Sequence, residues 1–236
     1  MKMNLHKKLL CTAGAALLLS STSLFAVEKS AVDIVKNAYQ YIGSLDKYAF
    51  DAATTKGGES NKNFRQDVSV EVDRPGKLRI ETKGDAKNRT VYLNDGMFTM
   101  MDHSFNYYGQ IKAAKTIDGT LDLIFDAYGI NAPLASLIYS DMDKSVKFTK
   151  SKYFGTMDVA GVACDYVAFK TNIGEVHIWI ATGDKPLIKT FSIISNQGEV
   201  RRDTSISWDT NPRICKKDFI FKAPKGASKI SVKPAK

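Results

Sequence analysis

Few residues in this chain could do acid–base, nucleophilic or metal chemistry, and their spacing is poor. Asp102-His103-Ser104 sets three triad residue types side by side. Adjacent side chains diverge in any local structure, so this tripeptide is expected to be a polar turn and not a charge-relay site. His177 alternates with Trp179 on one face of a predicted strand, with Val176, Ile178 and Ile180 on the other. It reads as a surface or cavity-rim histidine, because zinc takes three or four protein donors. No GxSxG elbow, Walker loop, GxGxxG or HExxH motif occurs, and the carboxylates form no spaced pair suited to acid–base work. Neither catalysis, a cofactor nor a metal is expected. Phe98, Met100, Met101, Phe105, Tyr107 and Tyr108 cluster around one predicted hairpin. Methionine is an adaptable lining for flexible acyl chains, and the same cluster also suits plain sheet core.

The N-terminus explains part of the composition. Lys2, Lys7 and Lys8 precede an uncharged stretch over residues 9–19 and a small-residue segment over 20–26, the pattern of a secretory signal cut after Ala26. Eleven apolar residues fall short of the roughly 18 a membrane span needs, and Cys11 stands in no lipidation box. Of the 236 residues, 34 are basic and 25 acidic, for a net +9. Removing residues 1–26 takes away three lysines and no acid, leaving +6 over 210 residues with no basic run longer than two. That is a solvated surface, and no nucleic-acid partner is expected. Cys164 and Cys215 remain, and an even pair in an exported chain reads as a disulfide.

The patterning that must position any site is mostly β. Ser30 with Asp33 opens a helix carrying Val32, Val35, Tyr39 and Ile42 at helical spacing, and Gly43 stops it. Over residues 48–111 apolar and polar residues alternate, with turns at Pro75-Gly76, Gly84-Asp85 and Asn94-Asp95-Gly96. Leu121, Ile124, Phe125 and Tyr128 then predict a helix ended by Gly129, and Leu134, Leu137 and Ile138 a second short one. Alternation returns at 166–170, 175–180, 187–194 and 204–208, with an Asn-Gln-Gly turn at 196–198, and closes at Phe219 and Phe221. The fold class is α+β: a curved antiparallel sheet whose concave face the helices must cover, leaving a cavity at their boundary. Residues 27–236 are expected to form one domain.

Three motifs in order, Val72-Asp73-Arg74-Pro75-Gly76-Lys77-Leu78-Arg79, Leu93-Asn94-Asp95-Gly96-Met97-Phe98 and Phe219-Ile220-Phe221-Lys222-Ala223-Pro224-Lys225-Gly226-Ala227, resemble the lipoprotein-carrier superfamily typified by LolA. Tyr128-Gly129-Ile130-Asn131-Ala132-Pro133-Leu134, Gly161-Val162-Ala163-Cys164-Asp165-Tyr166-Val167-Ala168-Phe169 and Ile178-Trp179-Ile180 are similar to signature stretches of the predicted periplasmic proteins of domain-of-unknown-function family 2092. The sequence departs from that family in having Tyr166 where a histidine is common and Val176-His177 where Trp-Gln is common.

The resemblance implies a half-barrel closed by helices over a hydrophobic cavity, with Arg74 at the position whose guanidinium latches the lid helices. From the sheet, Val70, Val72, Leu78, Ile80, Val91, Leu93, Phe98, Met100, Ile178 and Trp179 are assigned to the cavity lining. The helices are expected to add Leu121, Ile124, Phe125, Tyr128, Leu134 and Leu137. The function expected is a monomeric, non-enzymatic periplasmic carrier that encloses lipid or lipoprotein acyl chains, exchanging them with inner- or outer-membrane lipoprotein partners. The alternative keeps the fold and makes the chain an envelope sensor or scaffold that docks on a protein.

Overall fold

The computed structural model describes residues 29–57, 64–85, 87–146, 148, 150–171, 174–195 and 201–235. The predicted signal over residues 1–26 and the turn at 196–198 lie outside the described residues. In chain order, helix α1 (Ala31–Gly43) is followed by strands β1 (Lys47–Gly57), β2 (Phe64–Asp73), β3 (Lys77–Gly84), β4 (Asn88–Asn94), β5 (Met97–Asp102) and β6 (Tyr107–Lys112). Helix α2 (Ile117–Tyr128), a 3-10 turn (Ala135–Leu137) and the single-turn helix α3 (Met142–Ser145) come next. Strands β7 (Lys150–Val159), β8 (Val162–Lys170), β9 (Gly174–Ala181), β10 (Ile188–Ser195), β11 (Arg201–Asp209) and β12 (Ser228–Ile230) complete the chain.

The twelve strands among the described residues join one open, curved sheet in the order β12-β6-β5-β4-β3-β2-β1-β11-β10-β9-β8-β7. Every pairing is antiparallel except β12 with β6. Strand β1 closes onto β11, Phe50 opposite Trp208 and Ala52 opposite Ile206, so the two β blocks become one surface. The period-two patterns send one set of side chains inward: Tyr48 and Phe50, Val68, Val70 and Val72, Leu78 and Ile80, Val167 and Phe169, Ile178 and Ile180 are all buried.

Helix α1 fills one half of the concavity. Ser30 caps it by accepting the Asp33 amide at 3.4 Å, and Val35, Ala38, Tyr39 and Ile42 form its buried stripe. Val35 and Ile42 each contribute roughly 1.5–3 kcal/mol by leaving water. Gly43 ends the helix where a Cβ would fall 2.1 Å from the Ser140 carbonyl oxygen, so glycine lets the 138–140 segment pack against it. Asp165, buried at the inner end of β8, accepts Lys29 Nζ at 3.1 Å and the Tyr153 hydroxyl at 2.9 Å, which ties the start of α1 to the β7–β8 side.

Three expectations need correction. The helix expected at Leu134, Leu137 and Ile138 is a single 3-10 turn, entered with Leu134 in the left-handed region (φ 55°), because Pro133 before it and the short span to α3 leave no room for more. Phe219 and Phe221 do not continue a strand. Lys216–Phe219 is a 3-10 turn on the outer face of the sheet, where Phe219 is fully buried and the Phe221 ring packs 5.6 Å from that of Tyr92 and 4.9 Å from that of Tyr108. The chain then adds β12 to β6 and ends with the Ala235 amide on the Ala127 carbonyl at 2.9 Å, so this tail covers a sheet edge that would otherwise stay unpaired.

The third correction concerns the cysteines. Cys164 and Cys215 are free thiols, not a disulfide. Cys164 is buried in β8, whereas Cys215 is exposed just before the turn that packs on β3 and β4, six strand positions away from β8. At about 4.8 Å per strand the two residues are far outside the 4.4–6.8 Å Cα separation a bridge needs. Burial also pushes the Cys164 thiol up. Alkylation of the native protein followed by peptide mapping should label Cys215 promptly and Cys164 only after denaturation; a Cys164–Cys215 cross-linked peptide would contradict this arrangement.

Candidate functional site

A cavity of about 280 Å³ lies between α2 and the inner face of β3, β4 and β5. The register that builds it is simple. Ile80 pairs with Val91 and Val91 with Met100, while Leu78 pairs with Leu93 and Leu93 with Phe98, so two apolar rows cross three adjacent strands. Opposite them stand Leu121 and Ile124, on the stripe α2 turns inward. Thr116 caps α2 by accepting the Gly119 amide at 3.2 Å. Gly129, with φ 63°, ends the helix, and Ile130 donates its N–H back to the Ile124 carbonyl at 2.9 Å, as glycine-terminated helices do. The chain then passes over the cavity as Gly129, Ile130, Asn131, Ala132 and Pro133.

Of the residues assigned to a lining, the structure brings Leu78, Ile80, Val91, Phe98, Met100, Leu121 and Ile124 around this space. Val70, Val72, Leu93, Leu137 and Ile178 sit in the packed core, with Tyr128 and Leu134 half-buried against it. Two assignments are corrected outright. Trp179 points to the outer face, where its ring stacks on Tyr166 at 4.6 Å and its indole N–H meets the Met157 sulfur at 2.8 Å; its neighbours Ile178 and Ile180 take the inward positions. Phe125 is 55% exposed, because it stands roughly 80° around α2 from the centre of the inward stripe, as 3.6 residues per turn requires. Thr82, Lys87, Arg89, Thr120 and the 129–133 segment join the lining without having been assigned to it from the sequence. Thr82 and Arg89 extend the inward parity of Ile80 and Val91 by one step, a signal present in the sequence.

Arg74 lies where β2 ends, at the cis Arg74–Pro75 bond, and only 10% of its side chain is exposed. Its Nη2 donates to the Ile138 carbonyl at 2.7 Å and to the Tyr48 hydroxyl at 3.3 Å; its Nε donates to the Leu45 carbonyl at 3.2 Å. Asp118 on α2 sits 3.6 Å from Nη1 and also accepts the Ser140 amide and hydroxyl. The Tyr48 hydroxyl, whose ionisation burial pushes far up, donates to the Leu137 carbonyl at 2.8 Å. The Ile117 amide donates to the Pro75 carbonyl at 2.7 Å. One guanidinium therefore joins the sheet to the exit of α1, the 3-10 turn and the start of α2.

At the cavity wall Arg89 donates through Nε to Asp102 at 2.8 Å. Burial alone would raise the Asp102 carboxyl, but the hydrogen bonds from Arg89 and from the Phe105 and Ser104 amides hold it below the usual range. These bonds make Asp102-His103-Ser104 a polar turn, and His103 instead meets the Thr90 hydroxyl at 2.7 Å. Tyr166 and His177 meet on the outer face, hydroxyl to Nδ1, at 2.6 Å. No group of three or more metal-ligating side chains occurs among the described residues.

An open, curved antiparallel sheet with helices over its concave face and an apolar cavity beneath one of them defines an α+β half-barrel. The chain belongs to the family of predicted periplasmic proteins DUF2092, whose model matches residues 31–233. Among solved structures it is similar to an uncharacterized conserved protein from Thermus thermophilus, at 9% identity and a TM-score of 0.52 over 86% of this chain and 99% of that one. The lipoprotein LppX of Mycobacterium tuberculosis aligns at 12% identity and a TM-score of 0.47, covering 78% of this chain and 97% of its own. A LolA superfamily protein from Nitrosomonas europaea aligns at 8% identity and a TM-score of 0.36, covering 82% and 98%. At 9% identity the likeness to the Thermus thermophilus protein concerns the fold alone. No curated protein matches the chain.

The Arg74 network predicts a graded loss of stability. Arg74→Leu strands two buried carbonyls and should cost about 3 kcal/mol in urea unfolding, while Arg74→Lys, which keeps the charge and loses the fork, should cost less. Equal stability of all three proteins would mean that the guanidinium holds nothing.

Proposed function

We propose that this is a periplasmic, non-enzymatic carrier that shields an acyl chain between its sheet and α2, with Arg74 as the latch holding the helical cover in place. The supporting observation is the cavity itself: about 280 Å³ lined chiefly by aliphatic side chains, Phe98 and Met100, in a half of the molecule where α2 stands off the sheet. Ligand sites usually run from about 300 to 1,000 Å³, so this is a small site. At roughly 0.8 kcal/mol per buried methylene, a partly enclosed chain gains useful affinity without any catalytic group. Lipoprotein partners on either membrane would load and unload it by parting α2 from the sheet, which requires the Arg74 bonds to open.

A second reading, an envelope scaffold, is favoured by the outer face of β7–β9. There Phe154, Tyr166 and Trp179 stack in a row with Phe154 and Met157 exposed. Specific co-purification of one protein, lost on Phe154→Ser, with no lipid in the same preparation, would favour it.

Carriage predicts that organic extraction of protein purified from its native envelope yields lipid by mass spectrometry. Val91→Phe, which occupies space equal to two or three methylenes, should weaken binding of a fluorescent fatty acid by about tenfold or more while the protein stays folded. No extracted lipid together with no fatty-acid binding would sink the carrier reading.

A further inference from the structure

We infer that the cavity takes a single-chain amphiphile with a small anionic head, a carboxylate or phosphate, held by Lys87 and Arg89 with its chain running inward toward Leu78 and Phe98. This inference rests on the carrier reading and specifies its ligand. The register provides the first argument. Thr82 pairs with Arg89, Ile80 with Val91 and Leu78 with Leu93, so the inner surface changes from polar to apolar in steps of two residues along the same strands. Each step is about 6.6–6.8 Å, so the far apolar row of Leu78 and Leu93 lies roughly 13 Å from the polar row. That gradient is the shape of an amphiphile lying along the strands, head toward the β3–β4 hairpin.

Charge provides the second argument. Arg89 is held at the cavity wall by its Nε bond to Asp102, and its two terminal nitrogens make no hydrogen bond to a protein group among the described residues. The Lys87 ammonium has no carboxylate partner among them either. Asp85, two residues before it in the hairpin, accepts the Arg65 amide at 3.3 Å. Asp102 is saturated by Arg89 and two backbone amides. Lys87 and Arg89 are the charged side chains that line the cavity, whereas Asp85 and Asp102 lie outside its lining, so the charge facing the cavity is positive, and a guanidinium fork whose outer edge is free suits a carboxylate or phosphate.

Volume provides the third. At roughly 30 Å³ per water-sized group, 280 Å³ holds on the order of nine methylenes. This matches one chain of moderate length, or the proximal part of a longer one.

Titration calorimetry of the exported protein at low ionic strength tests this with dodecanoate, dodecyl phosphate, dodecanol and a diacyl phosphatidylglycerol, the soluble probes kept below their micelle concentrations. Both single-chain anions should bind at least about tenfold more tightly than dodecanol, and phosphatidylglycerol more weakly than either. Lys87→Gln, which breaks no ion pair, should reduce the preference for the anions, and Lys87→Gln with Arg89→Gln should abolish it, the measure in each protein being the ratio of anion to dodecanol affinity. A preference for only one of the two anions would decide between carboxylate and phosphate and still support the anionic head. Equal binding of dodecanoate, dodecyl phosphate and dodecanol, or an anion preference untouched in both variants, overturns the head-group assignment and leaves carriage standing. Phosphatidylglycerol binding as tightly as dodecanoate overturns the single-chain assignment. No binding of any probe overturns both this inference and the carrier reading.

Discussion

The structure turns on one guanidinium. A curved sheet this wide has no cooperative reason to keep three separate helical segments over its concave face, since α1, the 3-10 turn and α2 share few side chains with one another. Arg74 supplies that reason by committing its donors to the Leu45 and Ile138 carbonyls and the Tyr48 hydroxyl while facing Asp118. Helix ends and turns leave carbonyls that must find partners, and here their partner belongs to the sheet. Asp118, Tyr48 and Ser140 are arranged around the same point, so removing the cation would disturb every segment of the cover at once.

This junction separates two unlike halves. On the β7–β11 side, α1 packs its stripe of Val35, Ala38, Tyr39 and Ile42 directly against the sheet, with an open, more polar groove beside its start lined by Lys29, Asp33, Asn37, Asp165 and Thr182. On the β3–β5 side, α2 is fixed near its start by the Pro75 carbonyl and Asp118, and near its end by the Ala235 amide, while its middle spans a void. A packed half provides the stability that a hollow half gives up, because unfilled volume forfeits dispersion contacts.

Much of this is legible in the residues. Period-two alternation locates the strands, and the Ser30 cap and Gly43 bound α1 correctly. The conversion of alternation into a cavity is harder to read. Which face turns inward is clear for Ile80 and Val91, whereas Trp179 misleads: its alternation with Ile178 and Ile180 sets it on the outer face, where Tyr166 stacks on it, although a large apolar ring also suits a lining. Phe125 misleads for a related reason: helical spacing gives a stripe, and its edge depends on how closely the sheet approaches. The cysteine pair misleads because parity of count says nothing of distance. The tail imitates a strand because the alternating Phe219 and Phe221 dock on the outer face, Phe221 against two rings, a long-range contact with no local signature.

The sheet register also explains why a polar rim can coexist with an apolar floor on three strands. A one-residue slip of β4 against its two neighbours would send Arg89 outward and bring Thr90 in, exchanging its whole inner set. The Asn88–His103 backbone bond and the Arg89–Asp102 ion pair both act at that end of the strands, opposite the Asp95–Gly76 turn contact at the other. Arg89 therefore has two roles that reinforce one another: it helps to pin the register that places it at the cavity mouth, and the carboxylate that pins it leaves its outer edge unspent. Replacing that pair with an apolar one could preserve the register and enlarge the floor, but it would remove the step from polar to apolar that the β4 strand presents to the cavity.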